Sequence, residues 1–456
     1  MNHSFDVVVI GGGSAGYAAA RTATAGGLKT AVIEGGPEVG GLCILRGCMP
    51  TKALLHAAEV LHQAQRARTW GLRTESVGFD WLSVMDRKAR MIEDFASYRR
   101  QQLSSGRFGF FRESARFVDP HTVELAGGDQ IQSRYFVIAT GSRVSTPSIP
   151  GLVEAGYWTS DDALALQRLP QSLIVLGGGA VAVEFAQFFC RMGVRVTLIQ
   201  RSAHLLKSVD ADAATCLEGV FRKEGMSVHT DTELKSAGRC AAGKFVEFGQ
   251  GGQLQRIEAE EILFALGRSP NTEGLNLSAA GVATERGRVI ADLSMRTSVP
   301  HIFTAGDCTG PHEIVHIAIS QAELAGHNIL HPETPREMDY RLLTSVVFTD
   351  PQVACVGLTE KEATRCGIIY KVATHPFSDH GKSMIMEALD GFVKLITDSQ
   401  SGEIIGGACV GPMGGELIHE IGVAMAARMT AKQLAAVPHY HPTLAEIWTY
   451  PAEDLS

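Results

Sequence analysis

Two cysteines lie five residues apart in Gly40-Gly41-Leu42-Cys43-Ile44-Leu45-Arg46-Gly47-Cys48-Met49-Pro50-Thr51-Lys52. A thiol pair at this spacing suits one of two chemistries, soft-metal binding or cycling between dithiol and disulfide. Pro50 suits the first turn of a helix, and Ala53, Leu54, Ala57, Ala58 and Leu61 recur on one helical face. Cys48 is therefore expected at or just before a helix N-terminus, where the dipole favours thiolate. In a regular helix two residues at this spacing face different ways, too far apart for a good disulfide. The stretch around Gly47 has to be irregular if the two are to pair. A zinc site would need two further ligands nearby, which this pair alone lacks.

Two glycine turns mark where phosphates would sit. Residues 5–10 read as a buried strand, Gly11-Gly12-Gly13-Ser14-Ala15-Gly16 as a turn, and the Ala-rich run 17–25 as a helix. A second apolar strand over 30–33 ends on Glu34. Gly11 permits the turn, Gly13 lets the backbone approach a pyrophosphate, and Gly16 lets helix and strand pack closely. The helix N-terminus offers N–H groups and a positive dipole end to phosphates, and Glu34 can accept hydrogen bonds from ribose hydroxyls. The pattern recurs as a strand over 172–176, the turn Gly177-Gly178-Gly179-Ala180-Val181-Ala182, a helix over 183–192 and a strand over 194–199. Ala182 replaces the third glycine, a tolerated variant. Two such folds imply two dinucleotides.

The elements that must position these groups are those of an α/β chain. Continuous apolar strands fit a parallel sheet covered on both faces. The first fold reads as interrupted and later resumed. His301-Ile302-Phe303-Thr304-Ala305-Gly306-Asp307 is a short apolar strand ending on an acid, followed by a helical stretch over 316–328. Beyond Leu342 come β-rich segments over 345–348, 353–356 and 392–396 and a helix over 416–427, which read as an α+β domain.

With 456 residues, more than one domain is expected. A hydrophobic fraction of 45% and a charged fraction of 20% suit a packed globular protein, and the 49 glycines cluster after apolar stretches. A net charge of −8 argues against a general nucleic-acid binder. No apolar run approaches the ~18 residues of a membrane helix. Met1-Asn2-His3-Ser4-Phe5-Asp6 moves straight into a strand without room for a signal peptide, so a cytoplasmic location is expected. Most of the nine cysteines should be buried thiols in a reducing compartment.

With these motifs in this order, the chain resembles the class I pyridine nucleotide–disulfide oxidoreductases over essentially its whole length. That is the family of dihydrolipoyl dehydrogenase, glutathione reductase and mercuric reductase. The resemblance implies two Rossmann-like dinucleotide-binding domains, for FAD and NAD(P), plus a C-terminal α+β dimerisation domain. The expected boundaries are 1–145 for the first part of the FAD domain with the redox cysteines, 146–265 for the NAD(P) domain, 266–335 for the returning FAD part and 336–456 for the interface domain. It further implies that Cys48 lies against the flavin as the charge-transfer thiol and that Cys43 attacks substrate. Lys52 and Glu184 match the family's ion pair beside the flavin, and Asp307 matches the residue at the ribityl–pyrophosphate region. The cofactor-binding candidates are Gly11, Gly13, Ser14, Ala15, Gly16, Glu34, Gly41, Lys52, Thr140, Gly141, Gly177, Gly179, Gln200, Arg201, Lys207, Gly267 and Asp307. No metal site is expected.

In Pro438-His439-Tyr440-His441-Pro442-Thr443-Leu444-Ala445-Glu446, the His-Pro-Thr-x-x-Glu pattern resembles the family's acid–base dyad. Dithiol–disulfide exchange needs a base to hold the proton of the attacking thiol. His441 is assigned that role, with Glu446 orienting its ring; His439 competes, and the spacing to Glu446 favours His441. In the family this dyad serves the other subunit's disulfide, which implies a homodimer.

Several stretches lean toward dihydrolipoyl dehydrogenase: Pro50-Thr51-Lys52-Ala53-Leu54-Leu55, Thr349-Asp350-Pro351-Gln352-Val353-Ala354 and Gly414-Gly415-Glu416-Leu417. Arg21 falls where glutathione reductases carry a glutathione-contacting Arg, whereas Glu323 falls where they carry a second one and would repel a glutathione carboxylate. Mercuric reductase would need a cysteine pair at the extreme C-terminus, which reads Pro451-Ala452-Glu453-Asp454-Leu455-Ser456. A dihydrolipoyl dehydrogenase-type activity therefore leads, with a lipoyl-bearing protein as partner and neither nucleic acid nor membrane. The alternatives are an NADPH-dependent reductase of another disulfide, such as glutathione disulfide, and a flavoprotein reducing quinones or metals. NAD-preferring folds end the second strand on an acid. Here that position is Gln200, followed by Arg201, Ser202, His204 and Lys207, a cationic cluster that suits a 2′-phosphate and predicts a preference for NADPH.

Overall fold

A computed structural model describes residues 2–241 and 243–456. They form two compact units, one made of Met1–Thr51, Met85–Ser145 and Gly267–Met338, the other of Lys52–Val84, Thr146–Leu266 and Asp339–Ser456.

The first unit is built on a seven-stranded sheet. Strand β1 (Asn2–Ile10) pairs in parallel with β2 (Thr30–Ile33) on one side and with Gln130–Ile138 on the other. Ile302–Thr304 pairs in parallel with Gln130–Ile138, so a strand from far along the chain joins the sheet begun at the N-terminus. Helix α1 (Ser14–Ala25) covers it with its buried Ala18, Ala19, Ala20 and Ala23, and Val315–Leu330 packs against α1. The small residues allow that approach: a Cβ at Gly326 would lie 2.9 Å from Thr22 Cβ. Val7, Val9, Val32, Val137 and Phe303 fill the layer between. Burying such side chains stabilises by about 1.5–3 kcal/mol each.

The second unit holds the other glycine turn. Its parallel sheet runs Ser227–His229, Arg195–Ile199, Ser172–Leu176, Glu261–Phe264. An antiparallel sheet of Thr232–Cys240, Gly243–Gln250 and Gln253–Ala259 follows in the chain, and was not foreseen; its two outer strands bury few side chains, while the central one alternates. The C-terminal part is a five-stranded sheet covered by Gly414–Ala426 around a core containing Phe377, Ile418, Ile421 and Trp448.

Both turn helices begin three residues earlier than the sequence suggests, at Ser14 and at Ala180. The backbone turns helical directly after the extended Gly13 and Gly179, and Ala15 and Ala182 in the first turns are already buried, so the glycine motif itself forms the helix start. Among the described residues, no helix is long and apolar enough to cross a membrane.

Candidate active site

Cys43 and Cys48 lie in two separate helices. Cys43 is in the short α2 (Gly41–Leu45), and Cys48 is the first residue of α3 (Cys48–Gln65). The chain breaks between them at Arg46 and Gly47, the irregularity that pairing requires. Gly47 sits so tightly that a Cβ there would fall 2.9 Å from the Leu42 carbonyl oxygen and 3.3 Å from Cys43 Cα. The turn before Cys48 is thus pressed onto the backbone of Cys43, and both cysteines are half-buried. Gly41 is bound as closely to the nucleotide turn, since its Cβ would meet Gly13 Cα at 2.5 Å.

The turn itself fits the dinucleotide that the resemblance implies. Helix α1 opens on Gly13 without a side-chain cap and without an acid in its first turn, where Ser14, Ala15 and Gly16 lie. The helices starting after Thr159, Thr359 and Thr430 are closed by capping boxes instead. An uncapped N-terminus leaves its N–H groups to an outside acceptor such as a pyrophosphate. A Cβ at Gly16 would strike the Gly11 carbonyl oxygen at 1.8 Å, so only glycine lets α1 begin here. Glu34 accepts from the Gly12 N–H at 2.8 Å and the Gly36 N–H at 2.6 Å, which fixes its carboxylate beside the turn.

Thr140, Gly141, Gly267 and Asp307 come together at the sheet's end. Asp307 Oδ2 accepts from Ser142 Oγ at 2.6 Å, and Arg268 donates to Ser142 Oγ at 2.8 Å and to its carbonyl at 2.9 Å. Asn271 donates from its N–H to the Gly141 carbonyl at 2.9 Å and from Nδ2 to that of Thr140 at 3.4 Å, and Ser145 N–H to that of Gly267 at 3.2 Å. Ser142 and Arg268 carry no local motif, which is why sequence reasoning missed them. Elsewhere in this unit Arg21 forms an ion pair with Glu323. The one residue that matched a glutathione contact is therefore already neutralised.

In the second unit the helix Ala180–Arg191 opens on Gly179, again without a side-chain cap or an acid in its first turn. Gln200 is buried behind the turn that begins at Gly177, and its Oε1 accepts from the Arg201 N–H at 3.1 Å. Arg201 and Lys207 are exposed. His204 stands 3.5 Å from the Glu218 carboxylate, so Arg201 and Lys207 are the better-placed cations of the cluster.

Lys52 and Glu184 meet as expected. Lys52 Nζ donates to both Glu184 oxygens, at 3.0 and 2.8 Å. Glu184 also accepts from the Phe348 N–H at 2.9 Å, and Lys52 lies 4.6 Å from the Phe348 ring centre. Two further residues of the same helix face continue this contact. Gln187 exchanges hydrogen bonds of 2.7 Å with the Asp350 backbone, and Arg191 binds the Asp350 carboxylate at 2.8 Å. Phe348, Gln187 and Arg191 were not foreseen; the helical spacing of Gln187 and Arg191 from Glu184 was the available signal.

The two histidines near the C-terminus differ sharply. The His439 side chain is only 7% exposed, with one ring nitrogen 2.5 Å from Glu420 and the other 2.9 Å from the Val437 carbonyl. His441 is 74% exposed, and Glu446 holds its Nδ1 at 2.8 and 3.0 Å. That hydrogen bond keeps the Glu446 carboxyl below its ordinary range. Donation from Nδ1 leaves Nε2 as the basic nitrogen. Among the described residues no group of three or more His, Cys, Asp or Glu could hold a metal ion.

Residues 5–322 match a family model described as pyridine nucleotide-disulphide oxidoreductase, and residues 343–452 match the dimerisation domain of that name. Dihydrolipoyl dehydrogenase from Geobacillus stearothermophilus is 34% identical over 454 residues, covering 98% of this chain and 95% of the relative. Mercuric reductase from Streptomyces lividans is also 34% identical, over 450 residues, covering 97% of this chain and 94% of the relative. The Cu(II) complex of the HOCl-induced flavoprotein disulfide reductase RclA from Escherichia coli superposes with a TM-score of 0.87 at 26% identity, over 100% of both chains.

Proposed function

The chain belongs to the pyridine nucleotide-disulphide oxidoreductases, a FAD-dependent family that takes electrons from NAD(P)H, and on that premise we propose that it exchanges electrons with a lipoamide-type disulfide through Cys43 and Cys48. The observation that carries this reading is the junction at Gly47, where the start of α3 abuts the backbone of Cys43.

Bound FAD supplies the two-electron link between nicotinamide and cysteines, with Gly13 to Gly16, Glu34 and the Asp307 cluster as its holders. The chain's own residues do the rest. The Cys43 thiolate attacks one sulfur of the substrate disulfide, forms a mixed disulfide and expels the other sulfur as thiolate. His441, oriented by Glu446, gives that thiolate a proton from Nε2. Cys48 then attacks the Cys43 sulfur, releases the second substrate thiol and restores the Cys43–Cys48 disulfide, so that two electrons have passed to substrate. Oxidation of a dithiol runs the same steps backwards. In the homodimer that the dimerisation domain supports, His441 and Glu446 serve the opposite subunit's cysteines.

Lipoamide is favoured over glutathione disulfide because Arg21 is already matched to Glu323. Gln200, Arg201 and Lys207 support a preference for NADPH, which also favours a second reading, the physiological reduction of another disulfide. A reducing cytoplasm is the setting this reading assumes. Steady-state turnover of the FAD-loaded dimer with lipoamide and with glutathione disulfide, each with NADH and NADPH, tests all of this. Faster lipoamide turnover with NADPH is expected. Rapid flavin reduction with neither disulfide turned over would discard both substrates.

A further inference from the structure

The cations proposed to receive a 2′-phosphate stand on a loop tied to the second glycine turn. This loop, residues 201–209, joins the strand Arg195–Ile199 to the helix Ala211–Lys223. Leu205 and Leu206 are buried within it, and Lys207 follows directly. The Leu206 N–H donates to the Gly178 carbonyl at 2.7 Å, and the Ser202 carbonyl accepts from the Asp231 N–H at 2.9 Å. Gly178 also leaves room for the loop, since a Cβ there would lie 3.0 Å from Leu205 Cδ2. Leu206 has a φ of +48°, a left-handed conformation that a leucine keeps only when its surroundings restrain it.

One restraint comes from a side chain outside the loop. Glu218, in the helix Ala211–Lys223 and only 5% exposed, accepts from the Leu205 N–H at 2.9 Å through Oε1. Its carboxylate faces His204 and Arg222, each 3.5 Å away. Burying a carboxylate is costly unless hydrogen bonds and opposite charge surround it. A backbone N–H bonds such an ionised acceptor more strongly than a neutral one. The acid therefore grips the loop one residue before the Gly178 tether and two before Lys207. The Leu206 tether is backbone to backbone, whereas the Leu205 tether depends on this one side chain.

We propose that Glu218 is a positioning residue that determines nucleotide specificity. By holding Leu205 it fixes the loop in the form that presents Arg201 and Lys207 to the 2′-phosphate of NADPH, without touching the nucleotide itself. The inference rests on the reading of Gln200, Arg201 and Lys207 as an NADPH-selecting group.

The test is titration calorimetry of the oxidised, FAD-loaded protein with NADP+ and with NAD+, read as the ratio of the two Kd values. In Glu218→Leu the preference for NADP+ should fall ~10-fold or more, and Glu218→Gln, which keeps an acceptor for the Leu205 N–H, should retain most of it. Flavin absorbance and circular dichroism identify folded variants, and Glu218→Ala replaces the Leu variant if that one does not fold. A folded Leu or Ala variant that weakens both nucleotides equally, or neither, overturns the proposal, because a merely structural residue leaves the preference unmoved. If the unmutated protein binds NAD+ at least as tightly as NADP+, the NADPH reading fails and the proposal falls with it.

Discussion

The turn after β1 and the turn after the strand Ser172–Leu176 share a backbone. Gly11 has a φ of +112° and Gly177 one of +117°. A Cβ at either would strike the carbonyl of a neighbouring strand's end, Ala139 at 2.3 Å and Ala265 at 2.4 Å. The middle glycine makes room for the side chain at the end of the second strand, since a Cβ would lie 2.9 Å from Glu34 Oε2 at Gly12 and 2.9 Å from Gln200 Cδ at Gly178. There the likeness stops. Glu34 presents a fixed carboxylate, whereas Gln200 presents a neutral amide that receives the next N–H, with exposed Arg201 and Lys207 beyond it. On the proposed reading the shared backbone would place a pyrophosphate at each turn, and the residues at the strand end would choose the ribose.

Two glycine substitutions break this comparison most severely. Gly16→Val places carbon atoms inside the Gly11 carbonyl, and the protein should be recovered without FAD. Nothing lies within 4 Å of a Cβ at Gly179, so Gly179→Val should fold, keep FAD and weaken NAD(P)H binding by ~10-fold or more. Flavin absorbance and stopped-flow reduction separate the two; loss of FAD from the Gly179 variant would contradict the assignment. A smaller effect is expected at the strand end. Gln200→Glu combined with Arg201→Ala gives the second turn the character of the first, and should shift the NADPH-to-NADH ratio of kcat/KM by ~10- to 100-fold toward NADH. An unmoved ratio would remove Arg201 from phosphate recognition.

The smallest effect separates the helices behind the turns. Cys190, near the end of Ala180–Arg191, is pushed from 9.0 up to about 11 by burial and then by the charge of Glu224. A thiol held above its unfolded value contributes fully below pH 9, and that contribution is lost as pH rises toward 11. Cys190→Ala should flatten the fall in Tm over that window; an unaltered slope would show that the thiol does not titrate with unfolding.

Both turns, their flanking strands and the cysteine helix were legible because each is encoded locally, by glycine spacing, apolar runs and Pro50. The break at Gly47 followed from the geometry that two cysteines need. Phe348 was not legible, since its contact with Glu184 joins distant segments of the second unit. His439 and His441 could be ranked by spacing, but only burial showed that the first is occupied on both ring nitrogens.

Electron uptake tests the central claim most directly. The FAD-loaded protein and its Cys48→Ser variant are titrated anaerobically with dithionite while flavin absorbance is followed. If Cys43 and Cys48 form the redox pair, the unmutated protein takes up about twice as many electrons per FAD as the variant, because flavin and disulfide are both two-electron couples. Equal uptake by the two proteins would contradict the account.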